Sequence, residues 1–534
     1  MFMAEMLSNA EESYPLAQHE AVVASISAQI AAFHREQTPF RIYHGSTNST
    51  RPSVRTRAAT VDISSLNHVI SVSVSEQRCL VEPNVAMDAL VAATLPLGLV
   101  PPVVPEFPGI TVGGGYAGTA GESSSFKHGF FDQAVKWVEV VLANGEVVTA
   151  SKSERQDLFH GMPGTFGTLG VATLFEVRLI PAEEFVEISY LPVHGIRHAQ
   201  QVFEQVMVHG QADFLDGIMF APENGVVMVG RFAERGEKNE TLPVVTFTKP
   251  WDEWFYLHAE EMMKQQQQVF DLHESGSDIA ETIWNSSRRE LVPVKDYLFR
   301  YDRGAFWMGR YAFNYFLTPF NRFFRWLGDK YMHTRVMYHA LHRSGLMQRF
   351  IIQDMALPNV HVAEFSNWLD AELPDIYPRW LCPLKTWDNG TGNMHPHIPA
   401  WAGPHLHDGT FLNIGIWGST PRHMRQVVAN RRIEAKLKAL HGMKWLYGQT
   451  FYTEDEFWSI YDRKWYDALR NKYHAQQLPN VYEKVRTSFN IDAEGAVTGD
   501  LRLGIEKGFW SIWPFAGVYG VLSTIKGGDY LRKQ

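Results

Sequence analysis

Thr111 to Gly129 reads TVGGGYAGTAGESSSFKHG, and Gly113, Gly115 and Gly118 fall at the G-x-G-x-x-G spacing that lets backbone amides approach a pyrophosphate. Two further small-residue loops share the N-terminal third of the chain, HGSTNST from His44 to Thr50 and GTFGTLG from Gly164 to Gly170. Ser, Thr and Asn add donors to amides that glycine leaves uncovered. Three such loops can therefore surround one extended, anionic cofactor.

A Rossmann loop must follow a buried strand and open a helix, with an acid about 20 positions on for the ribose. Glu139 stands near that distance, but a proline-rich run from Pro101 to Pro108 replaces the strand, and Gly121 and Gly129 interrupt the helix. Glu139 itself sits in a β-rich run ahead of Asn144-Gly145, a strong hairpin signal. The glycines thus belong to another fold. His395, His397, His405 and His407 in HPHIPAWAGPHLH invite a metal, but only Asp408 joins them and the Pro/Gly spacing reads as a loop, so no metal site is assigned.

The elements that must position these loops follow from periodicity. Helical spacing marks Glu20–His34 and Asn84–Gly98; β-rich runs include VDISSLNHVISVSVSEQRCLVEPNV, VKWVEVVLANGEVVTAS and GVATLFEVRLIPA, the last stopping at Pro181. Beyond about residue 185 the chain becomes rich in aromatic residues, which suit a flat apolar ligand and equally an ordinary core.

At 534 residues, 45% hydrophobic and 20% charged, the chain is globular and long enough for two domains. A net charge of -9 argues against nucleic acid. Two distant cysteines, Cys79 and Cys382, allow no disulfide framework, and the N-terminus lacks a secretory pattern, so an intracellular location is expected. Gly508–Ile525, GFWSIWPFAGVYGVLSTI, approaches a membrane span in length, but Pro514 and its glycines favour a surface-packed tail or a peripheral membrane contact.

The order of these features resembles the PCMH-type FAD-binding domain of the vanillyl-alcohol oxidase family. GESSSFKHGFF, DLFHGMPGTFGTLGVATLFEVRLIPAEEFVEI, ELVPVKDYLFRYDRGAFW, FIIQDMALP, YPRWLCPLK and HGMKWLYGQTFYTEDEFWSIYDRKWYDALR resemble its Δ24-sterol reductase branch. The resemblance implies an α+β fold: a two-subdomain FAD-binding domain over 1–185 and an α+β substrate cap over 186–440. A segment over 441–500 would return to the flavin, followed by an apolar tail over 501–534.

By the same resemblance, His44, Gly45, Ser46, Thr47, Asn48 and Ser49 would hold the pyrophosphate. Gly113, Gly114, Gly118, Gly121, Glu122, Ser123, Ser124, His128 and Gly129 would line the flavin, with Gly170 and Val171 near the adenine or ribityl part. Thr47 stands where relatives with covalent flavin carry histidine, which implies dissociable FAD. Reduction of an isolated double bond needs hydride from flavin N5 and a proton from an acid. Tyr447 and Arg303 are the catalytic candidates, with Lys385 and Glu122 weaker ones. The implied activity is reduction of a C=C bond in a sterol or similar lipid, with NADPH as electron donor, in the cytoplasm or at the endoplasmic reticulum surface. A flavin-dependent oxidase or dehydrogenase of an alcohol or lipid, and a non-catalytic lipid-binding protein, are the alternative readings.

Overall fold

The computed structural model describes residues 2–45, 50, 59–237, 239–265, 279–285, 289–386, 394–395, 406–407, 409–421, 423–487, 517–518 and 522. Ser46, Thr47, Asn48 and Ser49, His397, His405, and nearly all of the apolar stretch from Gly508 lie outside the described residues.

Helix α1 (Phe2–Arg35) starts well before the expected Glu20. Val23, Ile26 and Ile30 of its docking stripe nevertheless lie on the helical-period face that the sequence marks; His19 extends that stripe by a turn, and all four are buried. His19 sits between two carboxylates, Glu82 Oε1 at 2.9 Å and Glu139 Oε1 at 3.1 Å. Glu139, at the distance of a Rossmann ribose acid, is thus a strand residue that also accepts the Thr173 hydroxyl at 2.6 Å.

The first half contributes β1 (Arg41–Tyr43), β2 (Thr60–Asp62), β3 (Val69–Ser73), β4 (Arg78–Val81), β5 (Leu99–Val100), β6 (Val135–Leu142), β7 (Val147–Ser151), β8 (Gly170–Arg178) and β9 (Ile180–Pro181). β1 and β2 pair in parallel, and β3-β4-β8-β6-β7 form an antiparallel five-stranded sheet. Asn144-Gly145 forms the β6–β7 turn as expected, with Gly145 at φ +92°. Between β4 and β6 lie α2 (Met87–Thr94), shorter than expected because Leu95–Leu97 tightens into a 3-10 turn, and α3 (Val112–Ala117). β5, just ahead of the irregular proline run, pairs with β9.

The second half is built on β10 (Phe185–Val193), β11 (Phe214–Ala221), β12 (Asn224–Ala233), β13 (Arg289–Pro293), β14 (Phe350–Leu357), β15 (Arg379–Lys385), β16 (Thr410–Ser419) and β17 (Met443–Lys444). They form one antiparallel sheet in the order β13-β10-β12-β11-β15-β16-β14-β17. Strand alternation divides its side chains between two faces. Ile351, Met355 and Leu357 of β14, Leu381 of β15, and Leu412, Ile414 and Ile416 of β16 form a core with the helices at Gly195–His209, Asn359–Glu372 and Gln426–Ala439. Ile352, Trp380, Cys382, Leu384, Phe411 and Trp417 join the other core, which continues into the five-stranded sheet. The two halves meet across that face, and residues 441–487 tie them. Trp445 Nε1 donates to the Thr119 carbonyl at 3.0 Å, and Tyr466 Oη to Thr168 Oγ1 at 2.7 Å.

Among the described residues no helix is long and apolar enough to cross a membrane.

Burial opposes charge on His19, but the bonds to Glu139 and Glu82 outweigh it and hold its pKa up at about 9. A folded pKa above the unfolded 6.5 gives stability that is complete below that value and lost as pH rises through about 9. His19→Ala should cost about 2 kcal/mol at pH 6 in denaturant titration, by removing the charged partner of Glu139 and of Glu82 Oε1, while His68 still bonds Glu82 Oε2. The difference from wild type should shrink between pH 7 and pH 10.

Candidate active site

A cavity of about 340 Å³ occupies the seam between the halves. One wall comes from the N-terminal loops: Gly113, Gly114 and Gly118 of α3 and its end, then Gly121, with Gly167, Gly170 and Val171 farther along. Close chain packing demands glycine here. A Cβ on Gly113 would stand 2.9 Å from Pro83 Cβ, while its N–H already donates to the Pro83 carbonyl at 2.8 Å. A Cβ on Gly170 would stand 2.6 Å from Val140 Cγ1. Thr111 Oγ1 caps α3 by accepting from Gly114 N at 3.1 Å. Arg41, Ile42, His44, Ile63 and Lys484 extend the lining towards the first loop. That loop ends at buried Thr50, whose N–H and hydroxyl both reach the Tyr447 carbonyl, at 3.2 and 3.3 Å.

The opposite wall is the inner face of the eight-stranded sheet. Its register places Asp354 and Trp380 beside the same residue, Gly415. A Cβ there would lie 2.5 Å from Asp354 Oδ1, so the glycine opens the space that the carboxylate fills. Tyr447 Oη donates to Asp354 Oδ2 at 2.5 Å and Asn413 Nδ2 to Oδ1 at 2.9 Å. Burial pushes the Asp354 carboxyl above its usual range, although both bonds pull the other way. Burial, then the neighbouring Asp354 charge, pushes the Tyr447 phenol well up, so it keeps its proton.

Aromatic rings complete the box. Phe107, Phe306, Tyr338, Trp380, Trp417 and Trp445 all line the cavity. Phe306 lies 5.2 Å from Trp417 and 5.4 Å from Trp380, and Phe107 meets Phe306 and Trp417 edge-on at 5.6 Å. Behind them the fully buried Asp216 accepts from Trp380 Nε1 at 3.0 Å, Tyr301 Oη at 2.8 Å and Arg300 Nη2 at 3.0 Å. This fixes the Trp380 indole, and through Tyr301 the stacked Phe306 ring at 4.3 Å.

Of the residues expected at the site, the cavity brings together His44, Gly113, Gly114, Gly118, Gly121, Gly170, Val171 and Tyr447. Gly45 stands beside His44 at φ +81°. Glu122, Ser123 and Ser124 are buried behind the glycine wall. Ser123 Oγ donates to Glu122 Oε2 at 2.7 Å, and Ser124 Oγ contacts both Glu122 Oε1 and the Pro102 carbonyl. One hydroxyl has one proton for those two contacts. Burial pushes the Glu122 pKa up, although the Ser124 and Ser123 hydroxyls pull the other way. His128 lines a separate small void, and burial, then Arg178, lowers its pKa to about 4; Gly129 follows it at φ +75°.

Arg303 does not reach the cavity. Its guanidinium donates to Asp329 at 2.7 Å and to the carbonyls of Asp252, Pro250 and Phe247, so it anchors the segment at 247–252. Lys385 ends β15 outside the lining. His395 pairs with Asp132 at 3.3 Å, and among the described residues no three metal-ligating side chains come together. Sequence reasoning missed Glu106, Asp354, Asn413 and the Asp216–Arg300 pair. Asp354 carried a signal, as a lone carboxylate in the apolar strand FIIQDMALP.

Three polar atoms around the cavity, Glu106 Oε1, Asn413 Oδ1 and Trp417 Nε1, are buried without a hydrogen-bond partner. With the long glycine wall, they mark a seam built around a bound group rather than a packing defect.

Residues 21–151 match the model of the FAD binding domain. The Delta(24)-sterol reductase of Homo sapiens is 28% identical over 426 residues, covering 79% of this chain and 76% of its own. That of Arabidopsis thaliana is 28% identical over 482 residues, covering 82% and 79%, and the Delta(24)-sterol reductase homolog of Caenorhabditis elegans 25% over 465, covering 81% and 80%. The chain carries a PCMH-type FAD-binding domain and is a homologue of the Delta(24)-sterol reductases. The matched stretch contains β1 to β7, α3 and the Gly113–Gly121 wall. The FAD-binding domain thus supplies one side of the seam, and the aromatic and carboxyl groups of the eight-stranded sheet face it.

Proposed function

We propose that the protein is an FAD-dependent oxidoreductase that reduces a C=C bond of a sterol or similar lipid, with NADPH as electron donor and dissociable FAD. The observation that carries this is the hydrogen-bonded Tyr447–Asp354 pair, set in an aromatic box on the cavity that the glycine wall also lines. Gly113, Gly114, Gly118, Gly121, Gly170 and Val171, with His44 and Gly45, would hold the FAD. The bound flavin supplies hydride to one alkene carbon.

The chain's own residues do the rest. Trp380, Trp417, Phe306 and Phe107 exclude water and offer flat contact to a rigid apolar ligand. Their π faces also stabilise positive charge developing on an unactivated alkene carbon. Tyr447 and Asp354 hold a proton at the cavity face, and Asp216 keeps the Trp380 wall in place.

On this reading residues 1–185 form the FAD-binding domain, its parallel β1–β2 pair and five-stranded sheet being the two subdomains. Residues 186–440 form the substrate domain and 441–500 return to the flavin side. The protein is intracellular, at the cytoplasmic or endoplasmic reticulum surface. Peripheral membrane contact is best supported at Leu317, Phe323, Trp326, Leu327 and Trp251, exposed apolar side chains of which the first is 75% accessible. Arg322 Nη2 ties two parts of this patch by donating to the Trp251 carbonyl at 3.2 Å. Gly517 of the apolar tail donates to Tyr315 Oη nearby.

Anaerobically reduced, FAD-loaded protein should be reoxidised by a Δ24-unsaturated sterol, with the saturated sterol as product. Tyr447→Phe should slow that step roughly 10- to 100-fold. Rapid reoxidation by oxygen with peroxide formed, and none by sterol, would favour an oxidase instead. For the patch, Phe323→Glu with Trp326→Glu should abolish co-flotation with lipid vesicles while leaving the flavin spectrum unchanged; undiminished flotation would place the contact elsewhere.

A further inference from the structure

Glu106 lies in the proline-rich run and lines the same cavity, between Pro105 and Phe107, with 7% of its surface accessible. The other buried or partly buried carboxyl groups around the seam are supplied with donors. Asp216 has Arg300, Tyr301 and Trp380; Asp354 has Tyr447 and Asn413; Glu122 has Ser123 and Ser124. Among the described residues no side chain hydrogen-bonds or ion-pairs with Glu106; its own backbone N–H reaches the carboxyl, and its Oε1 is buried without a partner. An ionised carboxylate in such a place would forfeit several kcal/mol of solvation. A carboxylic acid would not.

The charged and titratable groups facing it agree. Burial chiefly pushes the Glu106 pKa well up and the charges of Glu122 and Asp354 push it further, while its own backbone N–H and Arg300, already paired with Asp216, only partly oppose them. Nor is the Tyr447 proton free, because it is held by Asp354 at 2.5 Å.

We propose that Glu106 is the catalytic acid of the cavity: a carboxylic acid kept protonated at neutral pH that delivers its proton to the substrate alkene. This rests on the reductase reading above. In the step, the Glu106 O–H bond breaks and a C–H bond forms at one alkene carbon, while the π electron pair is consumed. The reduced flavin, when bound, would supply the hydride for the second C–H bond. The sterol gains two electrons and two hydrogens, the flavin loses two electrons, and Glu106 is left as a carboxylate that water reprotonates. The reductant that restores the flavin is a reduced nicotinamide. Asp354 and Tyr447 act on Glu106 as positioning residues, the buried charge of the pair disfavouring ionisation of the acid beside it.

The test uses Glu106→Gln, which keeps the side chain's shape, and Glu106→Asp, which keeps the acid. Infrared difference spectroscopy of the flavin-free protein over pH 6–8 should show a protonated-carboxyl C=O band that is absent in Glu106→Gln. In FAD-loaded protein both variants should retain the flavin absorbance spectrum and its reduction by dithionite. With a Δ24-unsaturated sterol, Glu106→Gln should slow reoxidation of the reduced flavin by about 10²- to 10⁴-fold, with Glu106→Asp between it and wild type. An unchanged infrared band in Glu106→Gln, or an undiminished reoxidation rate, overturns the proposal. If sterol fails to reoxidise the wild type, the reductase reading fails and this assignment of Glu106 as its acid falls with it. Loss of the band in Glu106→Gln would then still identify Glu106 as a buried protonated carboxyl.

Discussion

Glu106, Glu122 and Asp216 are buried around one seam, Asp354 lies partly buried on it, and the Arg300 guanidinium is buried with them. Carboxyl groups withdrawn from water must be paired, hydrogen-bonded or protonated. The seam uses all three solutions. Pairing goes to Asp216, which braces the aromatic wall from behind, and hydrogen bonds go to Asp354, where Tyr447 and Asn413 converge. Protonation falls to Glu106, which no side-chain donor reaches among the described residues.

The backbone prepares this arrangement before any side chain acts. Alternation along β14, β15 and β16 sends Ile351, Leu381, Leu412, Ile414 and Ile416 to the helix-covered face and Asp354, Trp380, Asn413 and Trp417 to the seam. Gly415, opposite both Asp354 and Trp380, leaves the gap they share. Across the seam, glycines at 113 and 170 let strands and loops approach within van der Waals distance, which brings backbone rather than side chains to the cavity. Thr50, Trp445 and Tyr466 then fasten the C-terminal segment onto the first half, so Tyr447 is positioned by contacts from both halves.

Much of the first half was legible in the sequence. The Asn144-Gly145 turn, the β-rich runs and the crowded glycine loops carry local signals, because turn geometry and close approach restrict residue type at single positions. The carboxyl face was harder to read. Asp354, Asn413 and Trp380 lie on three strands, and only the register of β14, β15 and β16 brings them together. Glu106 sits in an irregular proline-rich run with no period to reveal its direction. Arg303 illustrates the converse: its residue type suited an anion, yet its environment is a ring of carbonyls and Asp329, which the sequence of RYDRGAFW does not contain.

The central claim is that the cavity between the glycine wall and the eight-stranded sheet holds both the cofactor and the acid chemistry. The most direct measurement is an experimental structure of the FAD-loaded protein. The account predicts cofactor density in this cavity, against Gly113–Gly121 and Gly170, with Glu106, Asp354 and Tyr447 lining the same space. Cofactor density in another cavity, or in this one with the three side chains walled off from it, would contradict the account.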